Sequence, residues 1–289
     1  MIRALGLVLA AGLLLGGSDG DDPLTRPITG TDAARWLQPQ GPAQVSGNTW
    51  YIGTRRIRQA VIDTGAGLVL IDAGLPESFG TTTAHFAALG LDLRKVRLIL
   101  VTEAHYDHAG GVAALVRTSG ARVAASRWTA AAMRRGISGA DDPQGSSLIA
   151  YPPQAKVREL RDGQRIRMGS ATITAHAMPG HTPGSMGYSW QSCDTGRCRT
   201  VLFAASLNPL ATGSYTYRAN PALVAGMRRT LASLDTAGCD ILLTSHPEHS
   251  GSDDRLTAAL EGKADAFASP GACATLARKY GALLDSQLP

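Results

Sequence analysis

Three apolar runs in this chain stop where histidines begin. VRLILVT (Val96 to Thr102) leads into Glu103-Ala104-His105-Tyr106-Asp107-His108, ATITAHAM leads into PGHTPGS with His181, and CDILLTS leads directly into His246. Runs of this length, rich in branched residues and followed by turns, read as strands. Strand ends converge on one rim of a sheet, so side chains from loops far apart in sequence meet there. A chain with this pattern is built around sheets, with its polar loops gathered at an edge.

The rest of the sequence fits that frame. NTWYIGT and AVIDTGAGLVLIDAG are strand-like, the second a hairpin turning at Gly65 and Gly67, and Ser78 to Leu89 reads as a short amphipathic helix ended by Gly90. A helix from Gly111 to Thr118 follows the first histidine motif, and ARVAAS is another strand. From Lys156 the character changes to consecutive strands: KVREL, QRIRM, ATITAHAM, SMGYSW and TVLFAAS. A helix from Pro221 to Ala237, the strand CDILLTSH and a helix from Asp253 to Phe267 complete the order. The two similar halves predict an α/β fold with two sheets face to face and helices outside. No linker divides residues 19–289, which read as a single domain.

Imidazole and carboxylate together suit zinc, which accepts nitrogen and oxygen ligands in a tetrahedral shell. Six candidate ligands exceed the need of one ion and point to two. In an extended loop Glu103, His105 and Asp107 share a side while His108 points elsewhere. The partition that follows assigns Glu103, His105 and His181 to one ion and Asp107, His108 and His246 to the other. His85, on the proposed helix, His176, an odd number of residues before His181, and His249, in a loop, are read as non-ligands.

These residues resemble the metallo-β-lactamase superfamily, whose HxHxDH signature becomes Glu103-x-His105-x-Asp107-His108. The resemblance runs from about Thr49 to Tyr280 and includes LIDAGLPES around Asp72, PGHTPGS, FAASLN and CDILLTSHP. It implies an αββα sandwich. Glyoxalase-like members and lactonases carry a metal-bridging aspartate after the strand TVLFAAS, and one β-lactamase subclass carries a cysteine there; this chain has Ser206. With Asp107, His108 and His246 at the second ion and Cys239 and Cys273 flanking His246, the pattern is most similar to subclass B3 β-lactamases.

That resemblance implies zinc-dependent hydrolysis of the amide bond of penicillins, cephalosporins and carbapenems by a metal-activated hydroxide, with Asp107 as ligand and hydroxide-orienting residue. It also implies Ser206 and Asn208 as donors to the substrate carboxylate and leaves Tyr215 and Tyr217 as alternative oxyanion partners. The departure is Glu103, where the family usually has histidine. A glutamate carboxylate reaches about as far as the distal imidazole nitrogen, so a dizinc site with a carboxylate ligand is the favoured reading. A weak, often empty first site is the alternative, because the negative charge weakens the pull of the ion on a carbonyl oxygen. A lactonase or thioesterase of the same fold, or a secreted binding protein with a decayed metal site, are the rival functions.

The N-terminus carries Arg3, an apolar run from Ala4 to Leu15 and small residues from Gly16, which is the pattern of a signal peptide over residues 1–18. The run is too short to span a membrane core of about 30 Å. Export to the periplasm makes disulfides the expectation for the four cysteines: Cys193 with Cys198 across a DTGR turn, and Cys239 with Cys273. The net charge of +5 comes from scattered arginines rather than a stripe, so nucleic acid is not an expected partner. The expected partner is a small β-lactam, with no membrane contact after cleavage and a monomeric state.

Overall fold

The computed structural model describes residues 22–28, 33–194 and 196–288. The expected signal peptide lies outside these residues. Among them, no helix is long and apolar enough to cross a membrane.

Twelve strands among the described residues form two sheets. The first contains β1 (Ala43–Ser46), β2 (Thr49–Gly53), β3 (Arg58–Asp63), β4 (Leu68–Ile71), β5 (Val96–Leu100), β6 (Arg122–Ser126) and β7 (Val157–Leu160), in sequence order. The second contains β8 (Arg165–Met168), β9 (Ala171–Ala177), β10 (Met186–Asp194), β11 (Arg197–Ala204) and β12 (Ile241–Thr244). The helices are α1 (Ala33–Trp36), α2 (Phe79–Ala88), α3 (Tyr106–Ala109), α4 (Val112–Ser119), α5 (Arg127–Arg135), α6 (Pro221–Thr236), α7 (Pro247–Ser250), α8 (Ser252–Leu260) and α9 (Ala272–Asp285).

Strands buried on both faces need apolar residues throughout, and β4 and β12 are buried at every position. Tyr51, Ile62, Leu100, Tyr188, Phe203 and Leu243 fill the space between the sheets. Val61, Leu70, Phe86, Val112 and Met133 pack the first sheet against its helices, while Leu202, Met227, Leu242 and Tyr280 do the same for the second. The result is the αββα sandwich that the resemblance implied.

Several expectations need correction. KVREL does not open the second sheet; β7 pairs in parallel with β6 and completes the first. The helix expected over Asp253 to Phe267 stops at Leu260, because Gly262 turns the chain at φ +86°. A further helix, α9, follows Gly271 and closes the order. α5 was not anticipated, although Ser126 caps it through the Thr129 N–H and Gly136 ends it in the left-handed conformation. Both expected disulfides are present, Cys193 with Cys198 and Cys239 with Cys273.

Bonds between the sheets align the strand ends that matter. The Tyr188 hydroxyl donates to the Val101 carbonyl at 2.9 Å, the Met186 N–H to the Thr102 carbonyl at 2.8 Å, and the Arg58 N–H to the Ser245 carbonyl at 2.8 Å. The end of β5 is thereby fixed to β10, and the end of β12 to β3.

Candidate active site

The segment after β5 is extended only as far as His105. From Tyr106 it winds into the single turn α3, so strand-like alternation does not carry through to Asp107 as the sequence reading assumed. The turn brings Asp107 and His108 onto one side. It packs against the loop after β4: the Ala73 N–H donates to the His108 carbonyl and the Gly111 N–H to the Gly74 carbonyl. A Cβ on Gly111 would stand 2.4 Å from the Ala73 carbonyl oxygen, so the close approach requires glycine here.

Six side chains then converge as two triples. Glu103, His105 and His181 each offer a ligand atom, the three within 4.8 Å of one another, and Asp107, His108 and His246 do the same. The membership matches the partition expected from sequence. His85 instead accepts from the Gly53 N–H, and His176 pairs with the Ser189 hydroxyl, both outside the triples. His249 stands beside the site with its ring 4.9 Å from that of His246.

In the second triple, His246 Nε2 lies 2.9 Å from Asp107 Oδ2 and His108 Nε2 3.5 Å from the same oxygen. The outer nitrogen of His108, Nδ1, donates to Asp72 Oδ2 at 2.9 Å. Asp72 is itself held by the Thr102 N–H and hydroxyl, each at 2.7 Å, and by the Ser245 hydroxyl. Its backbone sits at φ +61°, a strained conformation for a non-glycine residue that this network fixes.

In the first triple, Glu103 Oε1 lies 3.6 Å from His105 Nδ1 and 3.5 Å from His181 Nε2, while Oε2 accepts from the Ser206 N–H at 3.2 Å. The outer nitrogens are again tied: His105 Nε2 contacts Asp142 Oδ2 at 3.0 Å, and His181 Nδ1 donates to the Asn208 carbonyl at 2.7 Å. Sequence reasoning missed Asp142 and also Gln144, whose amide nitrogen stands 3.1 Å from His181 Nε2. Asp72 had been noted only as part of a motif.

Charge in this buried cluster is tightly balanced. Burial opposes ionisation of Glu103, but the charges of His108, His181 and His105 override it and hold its carboxyl at about 2. Asp107 is likewise penalised by burial yet is driven below the usual carboxylate range by His108 and His246. Burial disfavours the charged form of His108, but Glu103, Asp107 and Asp72 together push it up to about 10. His105 is raised against burial by Asp142 and Glu103, whereas burial lowers His181.

The donor set fits divalent cations. Glu103 Oε1 and His108 Nε2 approach to 3.1 Å, yet both are buried without a hydrogen-bond partner. Buried polar atoms with no hydrogen-bond partner call for another kind of partner, and outer nitrogens locked by carboxylates or carbonyls are the usual support of metal-ligating histidines. A cleft of about 490 Å³ opens over the triples, walled by Trp36, Tyr106, Ile149, Leu210 and His249. Asn208 lines it; Tyr217 is buried with its hydroxyl on the Gly180 carbonyl, and Tyr215 stacks edge-on against it.

A sandwich with two adjacent His/carboxylate triples at one rim defines the class of metal-dependent hydrolases. The sequence profile of the metallo-beta-lactamase superfamily matches residues 53–195. The structure superposes on Rm3 metallo-β-lactamase with a TM-score of 0.86 and 40% identity, over 90% of this chain and 98% of that one. It also superposes, at a TM-score of 0.84 and 40% identity over 93% and 97%, on an enzyme described as the first B3 metallo-β-lactamase with an active site glutamic acid. A hydroxyacylglutathione hydrolase from Anaeromyxobacter dehalogenans (strain 2CP-C) is 28% identical over 228 residues, 78% of this chain and 73% of the relative. The chain belongs to the metallo-β-lactamase superfamily. Within it, the solved structures it resembles include subclass B3 enzymes, and Glu103 stands at the first position of the signature.

Proposed function

We propose that the protein is an exported, periplasmic zinc β-lactamase of the B3 type, holding one ion with Glu103, His105 and His181 and a second with Asp107, His108 and His246. The observation that carries this reading is Ser206. It stands at the end of β11, and its backbone N–H donates to Glu103 Oε2 instead of a carboxylate entering between the triples. A glyoxalase-like site would need an aspartate there. The likeness to a B3 enzyme with an active-site glutamic acid supports Glu103 as a working ligand rather than a sign of decay.

Bound in the two triples, zinc supplies positive charge for the lactam carbonyl oxygen and lowers the pKa of water toward neutrality. The chain supplies the rest. Asp107, whose Oδ2 stands 2.9 Å from His246 Nε2, is on this reading both a ligand of the second ion and the group that orients the attacking water. Asn208, which lines the cleft, receives the substrate carboxylate, while Ser206 is buried outside that lining with its N–H on Glu103. Trp36, Tyr106, Ile149 and Leu210 give apolar walls to the substrate body, in a cleft of ordinary size for a small ligand.

Hydrolysis of a thioester is the second reading, favoured by the hydroxyacylglutathione hydrolase relative. Rates on a penicillin, a carbapenem, an acyl-homoserine lactone and a glutathione thioester separate them, with zinc measured in parallel. We expect the two β-lactams to have the highest kcat/KM; preference for the lactone or thioester overturns the proposal. Less than one zinc per chain under zinc excess would identify a decayed site.

A further inference from the structure

The loop between α5 and β7 reaches into the first triple in two places. Asp142 is buried, and its carboxylate is divided: Oδ2 meets His105 Nε2 at 3.0 Å, while Oδ1 accepts from the Gln144 backbone N–H at 2.9 Å. The same residue closes a turn, its N–H donating to the Gly139 carbonyl and its carbonyl accepting from the Gly145 N–H. Gln144 is therefore anchored through its backbone. Its side-chain amide lies at His181 Nε2, the atom that His181 contributes to the triple, on the wall of the cleft.

We infer that Gln144 supplies a fourth protein donor to the first ion through its side-chain carbonyl oxygen. This rests on the reading of Glu103, His105 and His181 as that ion's ligands. Two ligand atoms about 2.0–2.1 Å from a tetrahedral ion are about 3.3–3.4 Å apart. The three relevant separations bracket that edge length: 3.5 Å from Glu103 to His181, 3.6 Å from Glu103 to His105, and 3.1 Å from Gln144 to His181. An amide presents oxygen or nitrogen in one place by a half-turn, so the nitrogen that caps His181 without metal gives way to oxygen when metal binds. A carboxylate, two imidazoles and a neutral amide would close the shell, and substrate would enter by displacing Gln144, the ligand with no charge.

Chelator-competition titration of zinc into the whole mature protein tests this. The wild type is expected to bind two ions; binding of fewer than two would overturn the underlying ligand assignment itself. Given two ions, Gln144→Ala is expected to weaken the first by tenfold or more and leave the second unchanged. Gln144→Glu, which keeps an oxygen at the same reach, is expected to hold the first ion at least as tightly as the wild type. In cobalt-substituted protein, Gln144→Ala is expected to alter the d–d absorption of one equivalent. If Gln144 only caps His181 in the metal-free state, its removal leaves zinc affinity unchanged or raises it and the cobalt spectrum stays the same; that outcome overturns the inference.

Discussion

The two triples have similar ligand chemistry but are supported differently. Asp107, His108 and His246 sit on α3 and at the end of β12, and His108 is oriented by Asp72, which Thr102 and Ser245 hold from two other strand ends. Glu103, His105 and His181 are oriented from loops: by Asp142 on the segment after α5, by the Asn208 carbonyl after β11, and by the Ser206 N–H. Supports placed on strand ends share the rigidity of the core, whereas supports placed on loops can open at lower cost. The second triple is thus held by the scaffold, and the first by loops packed against it.

The largest test of this contrast is Asp72→Ala. It removes the shared acceptor for Thr102, Ser245 and His108 and leaves buried donors unpaired. Breaking such a buried charged network costs about 3–5 kcal/mol. Urea unfolding of the metal-free variant is expected to show a loss of that order together with loss of zinc from the second site. The matching change in the first site, Asp142→Ala, is expected to cost less stability, and equal losses would dissolve the distinction.

Glu103 gives the next largest effect. On the proposed assignment Glu103→Ala removes a ligand, and it is expected to abolish first-site zinc while the second ion stays, with the proposed β-lactam hydrolysis falling at least a hundredfold, or about 2.7 kcal/mol of transition-state stabilisation. Glu103→His is expected to retain two zinc ions. A Glu103→Ala protein that still bound two would remove this residue from the first site. A variant that lost both ions together would show that the triples are one unit, a possibility raised by Glu103 Oε1 standing only 3.1 Å from His108 Nε2.

The same contrast governs what the sequence revealed. The scaffold-built parts were legible: apolar strands ending at His108, His181 and His246, and turns punctuated by Gly65 and Gly67, carry local periodicity that physical rules can read. The structure brings together the same two sets of three side chains that the sequence pattern groups, but a helical turn rather than alternation places Asp107 beside His108. Asp142 and Gln144 were illegible because they meet His105 and His181 from 37 residues away, in a loop with no period to follow. β7 was misassigned for a related reason: its sequence says strand, but only its pairing with β6 says which sheet.

The smallest effect is the dependence of metal binding on pH, and its sign follows from the charge balance. Without metal, His108 is raised to about 10 from an unfolded value near 6.5, so its contribution to stability is complete below about pH 6.5 and is lost as pH rises through 10. Glu103, lowered to about 2, contributes above about pH 4.5 and loses that contribution only as pH falls through 2. The metal-free protein is therefore best balanced between those windows, with protons on the imidazoles occupying the electrostatic role of a cation. Zinc must displace the proton on His108 to reach Nε2, and a displaced proton makes affinity rise about tenfold per pH unit while the pH is below the metal-free pKa. His105 is raised as well, by Asp142 and Glu103 against burial, whereas burial lowers His181. Thermal unfolding in zinc buffered by chelator is expected to show a zinc-induced gain in Tm that grows from pH 6 to pH 8.5. In the Glu103→Ala protein, which isolates the second site, part of that slope should disappear, because removing the carboxylate beside His108 lowers the pKa of the proton that zinc displaces. A gain that is flat or falls with pH would mean that the imidazoles are neutral before metal arrives, and that the buried carboxylates of both sites are balanced by something other than His105 and His108.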